Sequence, residues 1–122
     1  MVNGKKYYET KWEVDERRVD QLMLHMGFQE NLIGTHMMRE AIKMWRPGIM
    51  FSKELYPALA TMFNSTTARV ERAMRTALAD AWGRGNTTTK GEVFGLSVYA
   101  TPEQPTVSQF VGRLHRACSH VW

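Results

Sequence analysis

The chain has 122 residues, 43% of them hydrophobic, enough for one compact domain with a core that needs no staples. Its 16 lysines and arginines exceed its 12 acids, and the formal charge of +4 permits a polyanionic partner without demanding one. No apolar run approaches the roughly 18–20 residues that cross a bilayer, the start MVNGKKYYETKWEV has no apolar stretch and is no secretory signal, and the single Cys118 excludes an internal disulfide and suits a reducing cytoplasm.

Residues 1–13 are polar with three large aromatics, Tyr7, Tyr8 and Trp12, and read as a tail or arm; residues 14–122 read as the folded domain. A helical period starts at Val14, with Val19, Leu22, Met23 and Met26 on one face and Gly27 as its C-terminal cap. A second period runs from about Glu30 to Trp45, with Leu32, Ile33, Met37, Ala41, Ile42 and Trp45 on its apolar side. Arg46-Pro47-Gly48 ends it, because proline has no amide hydrogen and glycine turns freely. Ser52 is the expected cap of a third helix that buries Leu55, Leu59, Met62 and Phe63 and tolerates Pro57 near its first turn.

Asn64-Ser65-Thr66 is a short polar break, and a fourth helix runs from about Thr67 to Trp82, stopped by Gly83-Arg84-Gly85-Asn86. Residues 86–91, NTTTKG, read as a loop or a marginal turn and Lys90 to Phe94 as a short fifth helix. Leu96 to Ala100 is apolar enough for a brief extended piece. Thr106 caps a last helix with Val107, Phe110, Val111 and Leu114 on its apolar face. The sum is an all-α chain of about six helices without a sheet.

The fourth helix carries the most information. Each helical residue advances about 100°, so Val70, Ala73, Met74, Ala77, Leu78 and Ala81 fall in one arc. Arg69, Arg72 and Arg75 step back by about 60° each and share the opposite arc, with Thr76 and Ala79 among them. Glu71 lies on the border. A basic stripe broken only by small residues can approach a surface closely. Ser65, Thr66 and Thr67 stand at the helix start, where hydroxyls and unpaired amides can hold a phosphate. Two helices joined by a three- or four-residue turn, the second one basic, describe a helix-turn-helix. Arginine suits such a helix because its planar fork can donate two bonds to guanine O6 and N7. The competing reading is a charged face that merely meets water, with Glu71 paired to Arg75 and Asp80 to Arg84.

Other chemistry finds little support. His25, His36, His115 and His120 show no metal-ligand spacing, so ordinary surface or half-buried histidines are expected, and no metal or cofactor. Cys118 has only His115 near it in sequence and reads as a packing residue near a frayed end. No phosphate loop, carboxylate pair or nucleophile elbow occurs, so the chain does not read as an enzyme. The methionines fall at helical spacing and fill a core, and Trp82 reads as a packing anchor.

The stretch ELYPALATMFNSTTARVERAMRTALADAWGRGN closely resembles the DNA-binding effector domain of the sporulation-initiation response regulator of endospore-forming bacteria. Leu55-Tyr56-Pro57, Leu59-Ala60, Arg69-Val70-Glu71-Arg72-Ala73, Arg75, Ala81-Trp82 and Arg84-Gly85-Asn86 fit the family pattern. Arg39-Glu40-Ala41-Ile42, Phe94-Gly95, Pro105-Thr106 and Ser108-Gln109-Phe110 match in order, so the likeness spans about residues 20–117. The resemblance implies a six-helix effector domain, related to winged-helix effectors but without sheet, that sets its fourth helix in the major groove of promoter DNA. By matched position Arg69, Glu71, Arg72 and Arg75 reach bases or phosphates. Thr76 stands where the family has histidine and Ala68 where it has serine, which implies a different preferred sequence. The connection around residues 46–50 looks shorter than in the family.

The resemblance further implies contact with RNA polymerase and its sigma subunit, with about Asn86 to Leu96 as the candidate surface. A homodimer on DNA is the candidate assembly, and the cytoplasm the compartment. The family's full regulator also carries a phosphoacceptor receiver module, which nothing in residues 1–20 resembles. The expected partner is therefore double-stranded DNA. Arg69, Arg72 and Arg75 grip the groove, Thr76 and Ala68 line the face, and Ser65, Thr66, Thr67 and Lys53 sit on the phosphate backbone. The alternative is a protein-binding module that acts on a sigma factor, on the polymerase, or on a full-length relative through mixed dimers.

Overall fold

Asp15 opens the first helix: its carboxylate accepts from the amides of Arg17 at 3.1 Å and Arg18 at 3.2 Å, two donors that a helix start leaves open. That helix, α1 (Glu16–His25), closes at Gly27, whose φ of 97° lets the Phe28 amide turn back to the Met23 carbonyl at 3.0 Å. The computed structural model describes residues 13–84, 87–95 and 103–119. After α1 come α2 (Ile33–Met44), a π-helical turn (Phe51–Leu55) that runs directly into α3 (Tyr56–Met62), α4 (Thr67–Trp82), α5 (Thr87–Phe94) and α6 (Val107–Cys118). There is no strand among the described residues. A lone antiparallel bridge joins Val14 to Ser119, with the Asp15 amide 2.8 Å from the Cys118 carbonyl.

One core gathers the apolar stripes of the helices. Met23 and Met26 from α1 and its cap, Met38 and Ile42 from α2, Leu55 and Leu59, Met74 and Leu78 from α4, and Phe110 and Leu114 from α6 are all fully buried. Phe110 stacks on Phe94 at 5.8 Å and meets Phe28 at 5.3 Å, while Trp82 stands edge-on to Phe94 at 5.4 Å. Thr106 caps α6 as the sequence predicts, and the structure adds a capping box, with the Gln109 amide on Thr106 Oγ1 at 3.1 Å and the Thr106 amide on Gln109 Oε1 at 3.0 Å.

Several local expectations are corrected. Ser52 caps nothing. The turn Phe51–Leu55 is wide, with the Leu55 amide reaching the Met50 carbonyl at 3.1 Å, and the Glu54 carboxylate accepts the Met50 amide at 2.7 Å. Pro57 follows that turn; its ring would clash with the carbonyl four residues back in a regular helix, and the widening relieves the conflict. The second helix begins at Ile33, not Glu30, and Ile33 is 55% exposed instead of buried. Met62 is likewise 51% exposed.

Most of the NTTTKG stretch is the start of α5, not a loop. Threonines are weak helix formers, but Thr89, Lys90 and Val93 are buried against the domain, and packing overrides propensity. His115 is fully buried, with Nδ1 donating to the Ile42 carbonyl at 2.6 Å and Trp45 5.1 Å away. Cys118 is buried in the core, the packing residue that the sequence suggests. The aromatic arm Tyr7 to Trp12, the extended reading of Leu96 to Ala100, and His120 lie outside the described residues.

Candidate nucleic-acid interface

The turn between α3 and α4 is built from its own residues. Asn64 takes a left-handed φ of 52°, which asparagine tolerates better than most side chains. That lets the Ser65 amide reach the Ala60 carbonyl at 2.8 Å and the Asn64 amide reach Thr61 at 3.2 Å, closing α3. Thr66 then caps α4, its Oγ1 accepting the Arg69 amide at 3.2 Å. Two helices joined across residues 63–66 form the helix-turn-helix. Thr66 uses an acceptor in the cap and retains its O–H donor. Thr67 is exposed beside it and Ser65 half-buried.

Along α4 the two arcs separate cleanly. Val70, Met74, Ala77, Leu78 and Ala81 are buried, while Ala68, Arg69, Arg72, Arg75, Thr76 and Ala79 are exposed. No carboxylate among the described residues lies within ion-pair distance of Arg69 or Arg72. Arg75 meets Glu71 at 3.6 Å, but the side chains are 59% and 51% exposed. An open i,i+4 pair of this kind contributes about 0.3–0.5 kcal/mol, little enough for a phosphate or base to displace. Tyr56 marks the α3 flank of the same face: burial pushes its phenol up, Glu71 adds to this and Arg75 opposes it.

Many basic side chains elsewhere are already matched. Arg39 bonds Asp20 and Glu30, each at 2.7 Å; Lys43 meets Glu40 at 3.0 Å and Glu16 at 3.5 Å; Arg46 meets Glu54 at 3.7 Å. At the far end of α4, Asp80 holds Arg84 at 3.1 Å and accepts from Gln29 at 2.8 Å. The Gln29 amide is the largest influence holding the Asp80 carboxyl below its ordinary range; desolvation opposes it and Arg84 adds to it. A cleft of about 1080 Å³ bordered by α5 and α6 combines Arg18, Arg113 and Arg116 with Glu92 and Glu103. Its mixed charge makes it a poorer polyanion surface than the exposed arc of α4.

Three features around α4 are not legible as a sequence pattern. Gly34 presses against α4 so closely that an added Cβ would stand 2.0 Å from the Ala73 carbonyl oxygen and 2.9 Å from Ala77 Cβ. Beside that crossing lies a shallow groove of about 250 Å³, lined by Leu32, Ile33, Arg69, Arg72, Ala73 and Thr76 among others. Ile33 belongs to the apolar stripe by angle, and only its place at the first turn of α2 hints that it reaches the edge. Lys90 was masked by its polar neighbours: it is buried, and its ammonium donates to the Trp82 carbonyl at 2.6 Å, at the C-terminal end of α4 where a cation is favoured. Burial lowers its pKa below the usual lysine value. Of the sequence-predicted residues, Ser65, Thr66, Thr67, Ala68, Arg69, Glu71, Arg72, Arg75 and Thr76 come together at α4 and the turn ahead of it. Lys53 is exposed on the π-helical turn, in the preceding element.

The remaining reactive side chains have structural surroundings. Burial pushes the Cys118 thiol up to about 11, so it is almost wholly protonated at neutral pH. His36 bonds the Glu30 carbonyl at 2.7 Å and stands 3.1 Å from Arg39. Among the described residues no group of three His, Cys, Asp or Glu could hold a metal ion, and no helix is long and apolar enough to cross a membrane. Compared with known families, residues 19–117 match the family model described as sporulation initiation factor Spo0A C terminal.

Proposed function

Since the chain belongs to the Spo0A C-terminal family, a DNA-binding regulatory family of sporulation initiation, we propose that it recognises specific double-stranded DNA by laying α4 in the major groove. The observation that carries this reading is the exposed arc of α4, where Arg69 and Arg72 stand between small side chains with no acidic partner among the described residues. Arg69, Arg72 and Arg75 supply bidentate donors for guanine or single bonds to phosphate. Glu71 can accept from the cytosine amine. Ala68 and Thr76 keep the face shallow, so bases can approach. The hydroxyls of Ser65, Thr66 and Thr67 and the ammonium of Lys53 bind phosphates and set the register.

The test is site selection from random duplex DNA, followed by binding of the selected site across a salt series. Arg72→Ala is expected to weaken binding by about 1–3 kcal/mol and to relax preference at one position. Lys53→Ala is expected to weaken all sequences alike and to flatten the salt dependence. Unchanged affinity and preference in Arg72→Ala would remove that face from the assignment. Weak, salt-insensitive binding by the wild-type chain would favour the other reading, a module whose partner is a sigma factor, the polymerase or a full-length relative.

A further inference from the structure

We propose that Ile33 reads a thymine methyl at the margin of the α4 contact and so acts as a specificity-determining residue; the inference rests on the DNA-binding reading above. Ile33 is the first residue of α2 and is 55% exposed. Of the four large exposed apolar side chains among the described residues, Leu24, Ile33, Met50 and Met62, only Ile33 shares a groove with Arg69, Arg72 and Thr76. Nothing local requires it there. Leu32 at the N-cap makes no side-chain cap bond, and a β-branched residue brings no advantage to a helix start.

Its position is fixed from beneath. Gly34 lies against the Ala73 carbonyl with no room for a Cβ, so the first turn of α2 is seated directly on the wall of α4. Ile33 is thereby carried to the rim of the arc that bears the arginines. The groove it borders is about 250 Å³, with Leu32, Ile33, Ala73 and Ala77 as apolar walls and Arg69 and Arg72 beside them. The two cations select a polyanion, and the apolar walls select a greasy group carried on it. On the major-groove edge of DNA that group is the C5 methyl of thymine, the one alkyl group that the four bases present there.

The test pairs one methyl with one side chain. Each thymine of the selected site is replaced in turn by deoxyuridine, which lacks only that methyl, and both duplexes are titrated with wild-type chain and Ile33→Ala. The wild type is expected to lose about fourfold at one thymine, the worth of one buried methyl. Ile33→Ala is expected to bind thymine and uracil equally at that position. Because Ile33 is exposed, this variant keeps the fold, which a far-ultraviolet spectrum checks. A wild type indifferent to every replacement, or an Ile33→Ala chain with the same fourfold loss, overturns the inference while leaving the DNA-binding reading intact. Equal weakening of Ile33→Ala on both duplexes also overturns it, since that places the side chain against deoxyribose. Failure of the wild type to bind any duplex overturns both readings.

Discussion

In the N-terminal half of α4, Arg69 and Arg72 extend into solvent with no carboxylate of the described residues close enough to pair. In the C-terminal half, Asp80 ties Arg84 at 3.1 Å and Gln29 at 2.8 Å, Trp82 is buried edge-on to Phe94, and Lys90 donates to the Trp82 carbonyl. The same helix thus presents open donors at one end and is closed by partners at the other. An interface needs groups whose hydrogen bonds and charges are not already satisfied within the fold. A scaffold needs the opposite, because an unpaired polar group that becomes buried costs stability. The buried end fixes where the open end points.

That division can be broken from the scaffold side. Trp82→Ala should have the largest effect, lowering unfolding free energy in urea by about 3–5 kcal/mol through the cavity left against Phe94 and Lys90. Gly34→Ala should cost about 1–3 kcal/mol, because the new methyl group meets the Ala73 carbonyl and overpacks the α2–α4 crossing. It should also impair DNA binding beyond its stability loss, since it displaces the wall of the recognition face. The comparison sharpens at the other end: Thr66→Ala should cost about 1 kcal/mol by losing the cap on the Arg69 amide. Thr66→Asn, which can cap equally well, should restore the stability. If Trp82→Ala left the midpoint unmoved, the buried end would not be the anchor described here.

The arc of α4 was legible because helical geometry alone sorts residues spaced by three and four into a buried and an exposed side. Val70, Met74 and Leu78 went in, Arg69, Arg72 and Arg75 came out, and no tertiary knowledge was needed. The caps at Thr66 and Thr106 were legible for a similar reason, since a hydroxyl before a helix answers to amides two or three residues away. Ser52 failed because the wide turn ahead of Pro57 put Glu54 in the capping role. The stretch NTTTKG failed because its helix is held by burial of Thr89, Lys90 and Val93, which no local propensity encodes.

By itself, then, the chain of residue types determined an all-helical fold, the caps at Thr66 and Thr106, and which side of α4 carries cations, since each of these depends on neighbours within about four positions. Only the packed molecule decided that Gly34 would seat α2 on the Ala73 carbonyl and that Ile33 would stand beside the arginines in water. Those outcomes join residues some 40 positions apart. They follow from how closely two backbones can approach, a distance set by the side chains at the crossing and invisible to any local periodicity.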